Sequence, residues 1–190
     1  MAEVTPAPAA SVILLRDAPF EVLMIRRHQK SSFAPDVWAF PGGGLEEEDV
    51  RRGRGVLLNA MRFAAARELF EETGISLGDP VDLEKLVWTG RWITPEGLPK
   101  RFDTYFFLAC VGRDTAMRLQ KSEAVDSIWI SPADAVQRHV AGDFPLVFPT
   151  LKNLEALVGF KSSGELIESR RNADIPTTQP RIVGGKIVLP

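Results

Sequence analysis

One domain of mixed α and β structure is what the sequence predicts, from three observations. Short apolar runs rich in β-branched residues recur along the chain at strand length. One longer stretch, about Val56 to Thr73, instead repeats its apolar residues at helical spacing. The two kinds of segment do not alternate as regular βαβ units, and no internal repeat or second boundary divides the 190 residues. With 45% apolar and 25% charged residues, the composition is that of an ordinary globular chain. A net charge of −2 gives no support for general nucleic-acid binding or for attraction to an anionic membrane. No apolar run approaches the roughly 18 residues of a membrane span, and residues 1–10 lack the layout of a signal peptide. Cys110 is the sole cysteine, which excludes an internal disulfide and fits a reducing compartment; in its apolar run it reads as buried and inert. The expectation is a cytoplasmic protein whose residues 1–8 are flexible.

In chain order, Ala9 to Arg16 and Phe20 to Arg27 read as neighbouring strands joined by the turn-forming Asp17-Ala18-Pro19. Residues 29–36 read as loop, and Val37 to Phe40 as a short strand with Trp38 and Phe40 on one face. Pro41-Gly42-Gly43-Gly44 must be irregular backbone, since proline lacks a donor and glycine brings no side chain. Such backbone can approach an ion or phosphate and offer it amide or carbonyl groups. Residues 44–55, acidic and then basic with two glycines, read as an exposed loop. The helix follows, with Leu57, Met61, Ala64, Ala65 and Leu69 near one face and Gly74 as its stop. Leu83 to Ile93 and Lys100 to Val111 read as strands around a loop containing Pro and Gly, and Val125 to Ile130 as a further strand. Ser131 caps a helix from Pro132 to about Val140. Leu151 to Val158 and Glu165 to Arg171 read as helices, and Arg181 to Leu189 as a last strand.

Chemistry concentrates in the final turns of the long helix. Glu68, Glu71 and Glu72 are three and four residues apart, which puts them on one side. Like carboxylates at that spacing repel one another unless a cation sits between them, and such oxygen clusters suit hard divalent ions, Mg2+ or Mn2+. A solvated acidic face, with Arg67 paired to Glu71, is the plainer reading of the same residues. On the later strands Arg91, Arg101 and Asp103 read first as surface charges, although an anionic ligand would recruit an arginine there.

A resemblance decides between these readings. Arg67-Glu68-Leu69-Phe70-Glu71-Glu72-Thr73-Gly74-Ile75 resembles the second half of the Nudix box, R-E-hydrophobic-x-E-E-x-G-hydrophobic, at every constrained position. Trp38 to Asp49 resembles the first half, with Gly43 at the box glycine and Asp49 where the family has Glu. Asp49 and Arg67 are 18 positions apart where the uninterrupted box has 8, so ten residues are inserted. A register through Gly53 and Asn59 fits the uninterrupted count, but Asn59 is not a Glu and Gly53 lacks an adjacent Phe-Pro-Gly.

The resemblance implies an α/β/α sandwich with a central mixed sheet. It also implies a single Nudix hydrolase domain over residues 1–190, with 44–55 as a loop inserted in the box. It implies an Mg2+- or Mn2+-dependent hydrolase that cleaves the pyrophosphate linkage of a nucleoside diphosphate derivative. Glu68 and Glu72 are then metal ligands, Glu71 a further ligand or water contact, and Gly42 lends its carbonyl. Arg67 orients these carboxylates, and Glu123 occupies the place of the general base. Val22 to Gly43, with Arg27, Phe33 and Pro35, and Phe148-Pro149-Thr150-Leu151 resemble the acyl-CoA diphosphatase branch, which also carries an insertion in the box. CoA or acyl-CoA is the implied substrate; Arg27, Phe33, Arg91 and Arg101 are candidate contacts, and Arg51, Arg52 and Arg54 are further cations for its 3′-phosphate. A peroxisomal Ser-Lys-Leu address is absent. Two alternatives stay open: a hydrolase of ADP-ribose or another nucleoside diphosphate sugar, and a non-catalytic sensor of nucleotide metabolites, which the intact glutamates disfavour. The partners implied are a small nucleotide-linked molecule and a second copy in a homodimer, with neither nucleic acid nor membrane.

Overall fold

The structure is a computed structural model that describes residues 4–31, 33–122, 124–171 and 173–189. Its first half contains β1 (Ala7–Arg16), β2 (Glu21–Arg27), β3 (Trp38–Ala39), β4 (Gly42–Gly44), α1 (Glu47–Arg52) and α2 (Leu57–Thr73). After a 3-10 turn at Leu83–Lys85 come β5 (Val87–Ile93), β6 (Phe102–Cys110), β7 (Ala124–Ile130), α3 (Pro132–Ala141), α4 (Phe148–Leu157) and α5 (Ser163–Arg171). The short strands β8 (Thr177–Thr178), β9 (Arg181–Val183) and β10 (Lys186–Val188) follow.

The main sheet runs β3-β2-β1-β6-β5-β8, with β7 also on β2 and β4 also on β1. β1 pairs in parallel with β6 from Ala7↔Phe102 to Leu15↔Cys110, and β5 pairs in parallel with β8, while the other pairs are antiparallel. The sheet is therefore mixed, as expected. It also forks. β1 meets β2 only at Leu15↔Val22 and Arg16↔Glu21, and further out β4 takes the place beside β1 while β3 takes the place beside β2. The glycine strand β4 lies in that fork.

Both faces of the central strands are buried, which explains why Val12-Ile13-Leu14-Leu15 is apolar without alternation. Val12 and Leu14 face α2 and meet Met61, Ala64, Ala65 and Leu69; the alanines let the helix come close to the sheet. Ile13 and Leu15 face the other way, onto a second core with Phe144, Ala135 of α3, Leu154 and Leu157 of α4, and Leu166 of α5. Each fully buried leucine or methionine here contributes about 1.5–3 kcal/mol. Helices thus cover both faces, giving the three layers of an α/β/α sandwich. Among the described residues, no helix is long and apolar enough to cross a membrane.

Several local expectations are corrected. Residues 4–8 are held rather than loose: Arg101 donates from Nη1 to the carbonyl of Val4 at 2.8 Å, the Ala7 N–H donates to the Arg101 carbonyl, and β1 starts at Ala7. The segment 44–55 is not all loop, because residues 47–52 form α1. Its first turn is acidic, its last turn is basic, and the Asp49 carboxylate accepts the N–H of Glu46. Leu57, at the first turn of α2, is exposed. The expected last strand is instead a hairpin, β9 with β10, turned at Gly184-Gly185 with both glycines at positive φ. Cys110, the last residue of β6, is exposed rather than buried; its Sγ lies 3.1 Å from Ser163 Oγ.

Candidate active site

Arg67 is the hub around which the acidic residues are arranged. Its Nη2 donates to the carbonyl of Gly44 at 2.7 Å and to Asp49 Oδ2 at 3.0 Å, and its Nε points at the same carboxylate. Its Nη1 donates to Glu68 Oε1 and to Glu71 Oε2, each at 2.9 Å. One guanidinium therefore ties together the glycine strand, α1 and the end of α2. Asp49 is 1% exposed, so its charge is balanced inside the protein and not by water. Burial opposes the charge on Arg67, but hydrogen bonding to Asp49 and the charge of Glu68 outweigh it and hold the guanidinium above its usual range. Asn59 plays no such part; its side chain accepts from Arg62 at 3.1 Å.

The helix ends where the acids are needed. Gly74 takes the left-handed conformation, φ 69°, and returns its N–H to the carbonyl of Phe70, which stops α2 directly after Glu72 and Thr73. Glu72 is buried, and its Oε2 accepts the N–H of Gly42 at 2.8 Å. A Cβ on Gly43 would overlap the Glu68 carboxylate, and one on Gly42 would overlap Ser11 Oγ and the Ala10 carbonyl. Glycine is required at Gly42 by the adjacent strand β1 and at Gly43 by the Glu68 carboxylate. The contact that fixes Gly42 to the acids runs through its amide.

Glu68 and Glu72 line a depression of about 340 Å³ together with Gly42, Gly43, Arg27, His28, Lys30, Ser31 and Ser122. Glu71 stands apart from them, half-exposed and tied to Arg67. Among the described residues no three His, Cys, Asp or Glu side chains gather as a cage for an ion. The donor set that is present, two carboxylates facing an open space, still suits Mg2+. That ion binds through one or two carboxylates and completes its shell with water and substrate phosphates. Neither His28 nor Lys30 was a candidate contact in the sequence; with Arg27 they line the space where phosphates would lie.

A second cavity, of about 600 Å³, adjoins the first and shares Arg27, Gly42 and Gly43 with it. Its walls are mainly apolar and include Phe33, Trp92, Phe102, Phe106 and Phe148. Phe33 packs edge-on against Phe102 at 5.0 Å, and Trp92 against Phe148 at 6.2 Å. Arg27 and Phe33, two of the four expected substrate contacts, line this space. The other two do not. Arg91 lies opposite Tyr105 on the α2 face of the sheet and makes a bidentate pair with Asp103, at 2.8 and 2.7 Å, which holds its guanidinium above the usual range. Arg101 is 4% exposed and holds the carbonyls of Val4 and Thr94. Both are corrected to structural roles. Trp92, one residue on from Arg91, occupies the cavity face instead, and period-two alternation could have indicated that. Glu123, the expected general base, lies outside the described residues.

A three-layer sandwich with paired glutamates on a helix, closed over by a glycine bend, defines a class of protein built around an oxygen-lined, acidic site. The NUDIX domain model matches residues 5–148. The chain belongs to the NUDIX family. Putative nudix hydrolase 7 of Caenorhabditis elegans is 29% identical over 88% of this chain and 65% of that protein. Acyl-coenzyme A diphosphatase NUDT19 of Xenopus laevis is 24% identical over 77% of this chain and 62% of that protein. The chain thus spans less than two thirds of the length of these curated relatives. The crystal structure of a NUDIX hydrolase from Alicyclobacillus acidocaldarius superposes with a TM-score of 0.82 at 26% identity, covering 91% of this chain and 100% of that one.

Proposed function

We propose that this protein is a divalent-metal-dependent hydrolase of the pyrophosphate linkage in a nucleoside diphosphate derivative, with CoA or acyl-CoA as substrate. The observation that carries this reading is the adjacency of the two spaces: an acidic depression that Arg27 and Lys30 also line shares Arg27, Gly42 and Gly43 with a large apolar cavity. A molecule with a pyrophosphate next to an apolar arm fits both. The similarity to an acyl-coenzyme A diphosphatase supports the same choice.

Glu68 and Glu72 would hold the ion, with Glu71 at its outer side and the Gly42 carbonyl as a further oxygen donor. When bound, Mg2+ or Mn2+ neutralises phosphate charge and makes a water more acidic. The chain's own residues do the rest. Arg67 fixes Glu68 and Glu71 against their mutual repulsion, and the Gly42 N–H fixes Glu72. Arg27 and Lys30 attract the phosphates, and His28 lines the same space as a hydrogen-bonding partner. Glu123 is assigned the removal of a proton from the attacking water.

Incubation of the purified protein and Mg2+ with CoA, acyl-CoAs, ADP-ribose and dinucleotides, with products resolved by chromatography, tests the reading. Release of 3′,5′-ADP from CoA or acyl-CoA is expected. Preferential cleavage of ADP-ribose would move the assignment to nucleoside diphosphate sugars, and turnover of nothing in the panel would leave a sensor.

A further inference from the structure

The family match ends at residue 148, yet the apolar cavity does not. Pro149 and Thr150 of α4, then Pro180 and Ile187 of the C-terminal segment, supply wall residues from beyond it. That segment reaches the cavity because β8 adds to the edge of the sheet, pairing Arg91↔Thr177 and Trp92↔Thr178. The hairpin that follows is unusual: among the described residues β9 and β10 pair only with each other, and all six of their residues are exposed. Ile182, Val183, Ile187 and Val188 are 42%, 60%, 40% and 39% exposed, so a short two-stranded element shows its aliphatic residues to water at the cavity edge. An isolated hairpin is marginal in water and gains from any apolar surface laid against it.

We propose that this hairpin is a specificity element: Ile187, with Pro180, forms the outer wall for an apolar arm carried by the substrate, and the arm's binding covers Ile187. The inference rests on the proposed function for the position of the phosphates, which lie where Arg27 and the glycine bend join the two spaces. It adds that selection among substrates is made by residues outside the family-matched region.

Calorimetric titration of CoA and of decanoyl-CoA into metal-free protein reads binding without hydrolysis. Wild-type protein is expected to bind decanoyl-CoA at least tenfold more tightly than CoA. Ile187→Asp should lose about tenfold in affinity for decanoyl-CoA, about 1.4 kcal/mol or roughly two methylenes' worth, and keep its affinity for CoA. Val183→Asp, on the opposite face of the same hairpin and not in the cavity wall, should behave as wild type, with circular dichroism checking that both variants fold. An undiminished preference in Ile187→Asp, no preference in wild type, or equal losses in both variants would each overturn the proposal. If the wild type cleaves no CoA compound but shows the preference and its loss in Ile187→Asp, the hydrolase reading fails while the hairpin's role stands.

Discussion

Replacing Arg67 with Met should destabilise the protein by about 3–5 kcal/mol, the cost of removing one partner from a buried ion pair. The estimate follows from Asp49. Its carboxylate is 1% exposed, and its recorded partners are the guanidinium and the N–H of Glu46. Without Arg67 a full charge stays buried with one neutral donor. An exposed pair would be worth only about 0–1 kcal/mol, so the two cases are well separated. Urea unfolding followed by tryptophan fluorescence measures the difference. With a slope of about 2 kcal/mol per molar, the midpoint should fall by about 1.5–2.5 M. The double variant Arg67→Met, Asp49→Leu should recover about half of that loss or more, because removing both charges also removes the orphan. A single variant within 1 kcal/mol of wild type, or a double variant less stable than the single one, would refute this account of the hub.

Other predictions concern the chemistry. Glu72→Gln keeps an oxygen for the Gly42 N–H but loses its charge, so turnover should fall at least about a hundredfold while the far-ultraviolet spectrum stays native; a wild-type rate would remove Glu72 from the metal site. Gly43→Ala should displace the Glu68 carboxylate, and steady-state kinetics should show a loss of about tenfold or more, with the midpoint of unfolding moving much less than in Arg67→Met. Glu123→Gln should lower kcat/KM by about 10²–10⁴; turnover at the wild-type level would give the general-base role to another residue.

The long helix and its glutamates were legible in the sequence because a 3.6-residue period and a three-and-four spacing are local properties. The glycine run was visible too, but its expected irregular backbone is at Gly42–Gly44 a strand, β4, paired with β1, and only the fork between β1 and β2 explains its position. Arg91 and Arg101 were misread because a charged residue near a loop looks alike on either face of a strand; Tyr105 opposite Arg91, and Val4 beside Arg101, are settled by pairing across the sheet. α1 is six residues long, too short to show a period, and the contact of its Asp49 with Arg67 joins distant parts of the chain. The hairpin was legible in hindsight: Gly184-Gly185 between Ile182-Val183 and Ile187-Val188 is a strong turn signal that a single-strand reading passed over.

The handclasp between Asp49 and Arg67 has a consequence for how such chains can vary. Because the two residues meet directly, the stretch joining them is free to differ in length provided it returns to the same place. Widening that loop from 8 to 18 positions costs only about 0.7 kcal/mol in closure entropy, far less than the ion pair it serves. The turn between α1 and α2, residues 53–56, is therefore a natural place for insertions to accumulate, a segment where the chain can acquire new surface while the glutamates beneath it keep their geometry.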